Sequence, residues 1–133
     1  MARLTRVPGE KSLFWVGSAK GDLLNFPEAA KNEIGVALSV AQFGGKHPKA
    51  KPWKGERSRF RSDRVLEIVE DHRGDTYRTV YTVKFSQAVY VLHAFQKKSP
   101  RGIKTAPGER GLVSRRLKSA GDDYEARYGK RKK

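Results

Sequence analysis

The chain has 133 residues, which fits one compact domain and excludes a second large one. It carries 29 Lys and Arg against 14 Asp and Glu, a formal net charge of +15, and this excess indicates an anionic partner such as nucleic acid. There is no cysteine, which excludes a disulfide framework and a thiolate metal site. Because the sequence has neither the apolar run of a signal peptide nor a stretch approaching the ~18 apolar residues of a membrane helix, we expect a soluble cytoplasmic protein.

The N-terminal third predicts an arm, a strand and two helices. Residues 1–11 are polar, contain Pro8-Gly9 and predict a flexible arm. The apolar run from Ser12 to Gly17 predicts a buried strand, and a short helix capped by Ser18 is expected to follow as far as Phe26. A second helix is predicted from Pro27 to about Phe43, with one apolar face formed by Ala30, Ile34, Ala37, Leu38 and Ala41.

Residues 44–64 predict a long basic loop. The segment has no hydrophobic period, contains two prolines and three glycines, and carries 8 basic against 2 acidic side chains. Trp53 and Phe60 lie among the cations, where they would either stack on bases or plug the loop into the core. As a group, the cations of this loop are candidates for binding the phosphates of RNA: Lys51, Lys54, Arg57, Arg59, Arg61 and Arg64.

Three antiparallel strands are predicted next. They cover Val65–Asp71, Thr76–Phe85 and Ala88–Gln96, and the first two are joined by a turn whose Gly74 supplies the unusual backbone angles. Alternation on the second strand predicts one face with Tyr77, Tyr81, Val83 and Phe85 and an opposite face with Arg78, Val80, Thr82 and Lys84.

A second basic loop covers residues 97–111, and a last helix is predicted to run from about Thr105–Pro107 to Tyr124. The remaining residues, 125–133, are too polar to pack and are expected to form a disordered tail. The predicted fold is therefore α+β: one domain over residues 12–124, with an antiparallel sheet, two N-terminal helices and a C-terminal helix. Helices are expected on one face of the sheet, which leaves Arg78 on the open face.

The strand segments VLEIVEDHRGDTYRTVYTV and AVYVLHAFQKKSPRGIKT resemble the RelE/HigB superfamily of type II toxin–antitoxin toxins. The preceding AKPWKG is similar to a segment of the phage-derived HigB-like branch. The resemblance implies a microbial RNase-like fold and metal-independent cleavage of mRNA, in many members on the ribosome, with no cofactor and a HigA-like helix-turn-helix antitoxin as partner. In this chemistry the RNA 2′-hydroxyl attacks the adjacent phosphate, and fixed cations stabilise the charge that develops.

By position, the resemblance makes Arg78 the group that acts on the scissile phosphate, and Lys97, Lys98 and His93 further catalytic residues. The sequence departs from RelE at Glu67 and Val69, where RelE has lysines, and it lacks a functional tyrosine after the basic loop. For Arg78 and for His93, a purely structural role is the alternative to the catalytic one. Arg78 would pair with an acidic residue of a neighbouring strand (Glu67, Glu70 or Asp75), and His93 would be a core histidine that shares strand parity with Val89, Val91 and Phe95.

Further RNA contacts are expected from His72 and Arg73 in the turn, and from Arg101 and Lys104 in the second basic loop, although any of these could be a plain surface residue. The acidic residues of the strands are interpreted as charge balance, and no metal site is expected. Two other functions stay open: a basic RNA- or ribosome-binding protein that has lost catalysis, and a ParE-like toxin directed at gyrase.

Overall fold

The computed structural model describes residues 8–53, 64–97 and 107–129. The elements are β1 (Ser12–Trp15), α1 (Ala19–Leu24), α2 (Glu28–Gln42), β2 (Ala50–Pro52), β3 (Val65–His72), β4 (Asp75–Thr82), β5 (Ala88–Lys97) and α3 (Pro107–Tyr128). The predicted α+β class is confirmed. Strand β2 lies in the segment that was predicted as loop throughout, because three residues are too few to show alternation. Its proline is tolerated because β2 is an edge strand.

The five strands form one mixed sheet in the order β1-β5-β4-β3-β2. The predicted antiparallel arrangement is correct for β3 to β5, and the unpredicted β2 pairs antiparallel with β3. Strand β1 pairs with β5 in parallel, from Ser12 opposite Ala88 to Trp15 opposite Val91. The intervening helices and strands provide the long connection that a parallel pair requires. Sequence alternation carries no information about strand direction, so this pairing was not predictable from the pattern.

Helices cover both faces of the sheet, so the predicted single-sided arrangement is wrong. Helices α1 and α2 bury one apolar core, which includes Ile34, Leu38 and Tyr81. Helix α3 buries Val113, Ala120 and Tyr124 in a second core on the opposite face. The spacing of these apolar residues predicted the helix, but a helical stripe does not specify which face of a sheet it covers.

A β-bulge in β5 changes which side chains share a face. The pairing passes from Val80 opposite His93 to Tyr81 opposite Val91, which leaves Leu92 without a partner on β4. Val91 contacts the α2-side core, whereas Leu92 contacts the α3-side core. The parity predicted between His93 and Val91 is therefore wrong, because strict alternation stops at the extra residue.

Helix α3 extends to Tyr128, so the residues predicted as a disordered tail begin inside it. Arg127 lies 4.0 Å above the Phe14 ring and donates a 2.6 Å hydrogen bond to Asp123. Asp123 also accepts a 2.5 Å hydrogen bond from the Tyr90 hydroxyl, which is the main reason why the pKa of Asp123 is lowered. A cation over an aromatic ring and a shared carboxylate thus hold the last turns, and a count of apolar residues misses both.

The ends of the N-terminal arm and of the β3–β4 hairpin are fixed by backbone geometry. The amide of Lys11, the last residue of the predicted arm, donates to the carbonyl of Gln42 at the end of α2 over 2.8 Å. The predicted turn between β3 and β4 is confirmed: Arg73 and Gly74 have φ values of 51° and 88°, the left-handed pair that a two-residue hairpin turn requires.

Candidate functional site

Three rows of cross-strand neighbours lie on the α3 side of the sheet, where residues in register share a face. The first row crosses four strands and consists of Lys51, Glu67, Val80 and His93. The second row consists of Val69, Arg78 and Phe95, and the third of Asp71, Thr76 and Lys97. We call this arrangement the three-row face. It brings together Arg78, His93 and Lys97 from the predicted catalytic set.

An ion pair between Glu67 and Arg78 lies at the centre of the three-row face. Arg78 Nη1 donates to Glu67 Oε1 over 2.9 Å, on the diagonal between neighbouring rows. The Glu67 side chain is 3% exposed and the Arg78 side chain is 17% exposed. The prediction that Arg78 lies on an open surface is therefore wrong. Of the partners considered for Arg78, Glu67 is the one observed, while Glu70 instead binds Lys49 at 2.8 Å and thereby raises the pKa of that lysine.

His93 is held between the sheet and the first turn of α3. Its Nε2 lies 2.5 Å from Glu109 Oε1, and its ring stacks on Phe95 with centroids 4.6 Å apart. The Nδ1 atom is buried and has no hydrogen-bond partner among the described residues. Because Nε2 donates to the carboxylate, Nδ1 is an acceptor in the neutral ring and a donor in the protonated ring. His93 is therefore buried, as a core histidine would be, and its Nδ1 makes no hydrogen bond within the described part of the chain.

Helix α3 is fixed beside His93 by Arg116. Its Nη1 donates to the carbonyl of Leu92 over 3.0 Å, and its Nη2 donates to Ser18 Oγ over 3.2 Å. Gly17 makes this possible, since a Cβ at that position would lie 2.8 Å from Arg116 Nη2. The bulge thus has a structural role: it exposes a backbone carbonyl that a helix side chain uses to set the position of Glu109.

The basic residues at the edge of the three-row face differ in how they relate to its centre. Lys51 is exposed and lies in register with Glu67, and Lys97 lies one row beyond Arg78. Arg73 begins the turn beside the third row, whereas His72 is the last residue of β3 and alternates onto the opposite side of the sheet from Asp71. Arg64 lies at the other end of β3, so it is not brought to the face. The other predicted RNA contacts and one predicted catalytic residue lie outside the described residues: Lys54, Arg57, Arg59, Arg61, Lys98, Arg101 and Lys104.

Of the two aromatic residues in the first basic loop, Trp53 is buried at 2% exposure in the α3-side core. Trp53 anchors the start of the loop in the core and is not available for stacking on a base. Phe60, the other aromatic residue considered for stacking, lies outside the described residues.

Sequence reasoning missed Glu67 and Glu109 as parts of the site. Glu67 was interpreted as charge balance and as a departure from RelE. The available signal was its position: an acidic residue on the apolar strand VLEIV needs a partner when it is buried. Glu109 had no such signal, because its contact depends on where α3 begins relative to the bulge.

Two kinds of structure are not found within residues 8–53, 64–97 and 107–129. No group of three or more His, Cys, Asp or Glu side chains is arranged to hold a metal ion. No helix in these ranges has the length and apolar composition needed to cross a membrane.

The fold and the three-row face define a small α+β protein with a buried carboxylate–guanidinium pair beside a histidine. The chain belongs to the family of phage-derived Gp49-like proteins, which it matches over residues 21–118. This family is associated with the toxins of toxin–antitoxin systems. No curated protein matches the chain.

Proposed function

We propose that this protein is a toxin that cleaves mRNA without a metal ion, as an endoribonuclease of the RelE/HigB type. The observation that carries the proposal is the combination of three groups on one face. A buried carboxylate, Glu67, binds Arg78, and both lie next to His93, whose Nδ1 has no partner among the described residues. This set can supply a proton acceptor, a cation for phosphate and a proton donor within neighbouring rows.

In the proposed reaction Glu67 accepts the proton of the RNA 2′-hydroxyl as that oxygen attacks the adjacent phosphorus. Arg78 transfers part of its hydrogen bonding from Glu67 to two phosphoryl oxygens, which its planar guanidinium matches and a lysine cannot. RNA binding would have to uncover Nδ1 of His93, which is buried in the free protein; the protonated ring then donates from this atom to the departing 5′-oxygen. The phosphorus–oxygen bond to that oxygen breaks, which leaves a 2′,3′-cyclic phosphate and a 5′-hydroxyl. Glu109 orients the ring throughout through Nε2.

Around this centre, Lys51 and Lys97 are proposed to contact neighbouring phosphates, and Phe95 to provide an aromatic surface for a base. The cations of the two basic segments outside the described residues, 54–63 and 98–106, are proposed to add affinity for RNA. We propose mRNA, on the ribosome or alone, as the substrate and a helix-turn-helix antitoxin of the HigA type as the protein partner.

The test uses a short RNA and the same sequence with a 2′-deoxynucleotide at each position in turn. Wild-type protein should cut the RNA, leave a cyclic phosphate detectable by mass spectrometry, and fail where the attacking hydroxyl is missing. Glu67→Gln, Arg78→Ala and His93→Gln should each reduce single-turnover cleavage by roughly a hundredfold or more. Lys118→Ala removes an 80% exposed cation on α3 and is the matched control.

The assay should be run both on RNA alone and on ribosomes carrying the same message, because either can be the substrate. Cleavage that is insensitive to 2′-deoxy substitution would refute the mechanism. RNA or ribosome binding without any cleavage in either format would favour the non-catalytic binding protein instead.

A further inference from the structure

A second basic surface lies on the opposite side of the sheet, at the C-terminal end of α2. It contains a cavity of about 360 Å³ with three cations at its walls, Lys11, Lys46 and Arg64. Its apolar lining includes Pro52, Leu66 and Val83. The described residues that line it include no carboxylate, so the cavity combines positive charge with an apolar floor.

An exposed apolar stripe leads along α2 to this cavity. Val36, Val40 and Phe43 follow one another at spacings of four and three, which places them on one outward side of the helix. Val36 is 53% exposed and Phe43 is 51% exposed, although both are large and apolar. Gly45 lines the cavity and also lies against the stripe, since a Cβ there would be 2.9 Å from Val40 Cγ1.

We infer that the stripe and the cavity form one docking surface, the α2-end surface, for an acidic amphipathic segment of another protein. Apolar side chains of that segment would cover the stripe, and one of them would enter the cavity as an anchor. Its carboxylates would bind Lys46, Lys11 and Arg64 at the rim. Attraction between opposite charges would speed the encounter, and the apolar contacts would slow dissociation.

Charge and shape argue against the other occupants. A second copy of this chain carries the same +15 charge and would be repelled. The chain's own segments outside the described residues are basic, with Arg3 and Arg6 near the N-terminus and three arginines in 54–63. Nucleic acid would complement the cations but not an apolar stripe, and a small ligand would fill the cavity but leave the stripe uncovered.

The α2-end surface lies on the α1–α2 side of the sheet, whereas the three-row face lies on the α3 side. Docking there therefore does not depend on the proposed ribonuclease activity, and the two proposals can fail separately.

The experiment measures binding of four fluorescent helical peptides of about 15 residues by anisotropy. The first has leucines spaced four, three and four apart with glutamates between them. In the second peptide the glutamates are replaced by glutamine, in the third the glutamates are replaced by lysine, and in the fourth the leucines are replaced by serine. Phe43→Ser and Lys46→Glu test the surface. Leu24→Ser, at a 56% exposed residue, and Lys118→Glu are controls with the same chemical change elsewhere.

We expect the acidic–leucine peptide to bind wild-type protein at least tenfold more tightly than each other peptide. Phe43→Ser and Lys46→Glu should each weaken it about tenfold or more, the controls should not, and Lys46→Glu should improve binding of the lysine peptide. RNA cleavage by Phe43→Ser should equal that of the wild type. Equal binding of all four peptides, or equal effects of test and control variants, would overturn the inference. It would also be overturned if Lys46→Glu weakened single-stranded RNA binding while Phe43→Ser changed nothing, because the surface would then be a nucleic-acid site.

Discussion

The substitution Arg78→Ala should lower both the free energy of unfolding and the rate of RNA cleavage, and the two effects can be measured separately. Arg78→Ala leaves the Glu67 carboxylate at 3% exposure with its arginine partner gone. Breaking a buried pair in this way costs about 3–5 kcal/mol, which lowers the melting temperature of a domain of this size by roughly 10 °C or more. Glu67→Ala should cost less, about 2 kcal/mol, because the 17% exposed guanidinium of Arg78 can turn toward water.

The two variants and their double variant form a thermodynamic cycle. The double variant should be more stable than Arg78→Ala alone, since it no longer buries an unpartnered carboxylate. The cycle should therefore give a coupling free energy of more than about 1 kcal/mol between the two positions. Urea unfolding followed by circular dichroism measures all four proteins.

Cleavage rates then separate structural from catalytic roles. Single-turnover cleavage below the lowest melting temperature should fall by roughly a hundredfold or more in Arg78→Ala, and the double variant should not recover it even though its stability does. Arg78→Lys should recover only part of the rate. If the cleavage rate per folded molecule stays near wild type while stability falls, the ion pair is structural and our assignment of Arg78 to the phosphate is refuted.

Three further predictions concern the metal, the first basic loop and alkaline pH. In a ribosome-free assay, cleavage should continue in excess EDTA, and loss that only added metal restores would contradict the mechanism. Neutralising Arg57, Arg59 and Arg61 together should reduce the salt dependence of RNA binding by roughly 0.7 unit of slope per lost phosphate contact on single strands, whereas an unchanged slope would mean that this loop does not touch RNA. Burial raises the pKa of Tyr81 to about 12, so its stabilising contribution is complete below about pH 10 and is lost as the pH rises from there through about 12. In urea unfolding at about pH 9 to 11, Tyr81→Phe should remove this part of the decrease in the free energy of unfolding. At neutral pH the substitution should change the free energy of unfolding little, because the hydroxyl is buried without a hydrogen-bond partner among the described residues.

The elements with strong periodicity were predictable from the sequence. Helix α2 runs from Glu28 to Gln42, within one residue of its predicted bounds, because its apolar spacing and its flanking Pro27 and Gly44 all favour the same helix. The strands β3 to β5 were also found, along with the turn between the first two. These features depend on neighbours in sequence, which a single sequence displays.

The arrangement of the site was only partly predictable, since it depends on contacts that are distant in sequence. Arg78 and His93 were selected by resemblance, but the partner of each was not fixed. Glu67 becomes a site residue only through its diagonal contact across β3 and β4. Glu109 requires the bulge at Leu92 and the position of α3, and neither has a local signature in the sequence.

The parallel pairing of β1 with β5 has a consequence for synthesis of the protein. The strand that begins at Ser12 cannot pair until the segment from Ala88 has left the ribosome, and the histidine site is not complete until Glu109 follows it. At about 5–20 residues per second, several seconds of synthesis pass before β1 can pair with β5 and complete the sheet. Under the ribonuclease function proposed above, a growing chain could not cut the message from which it is being translated until the segment with Glu109 had been made.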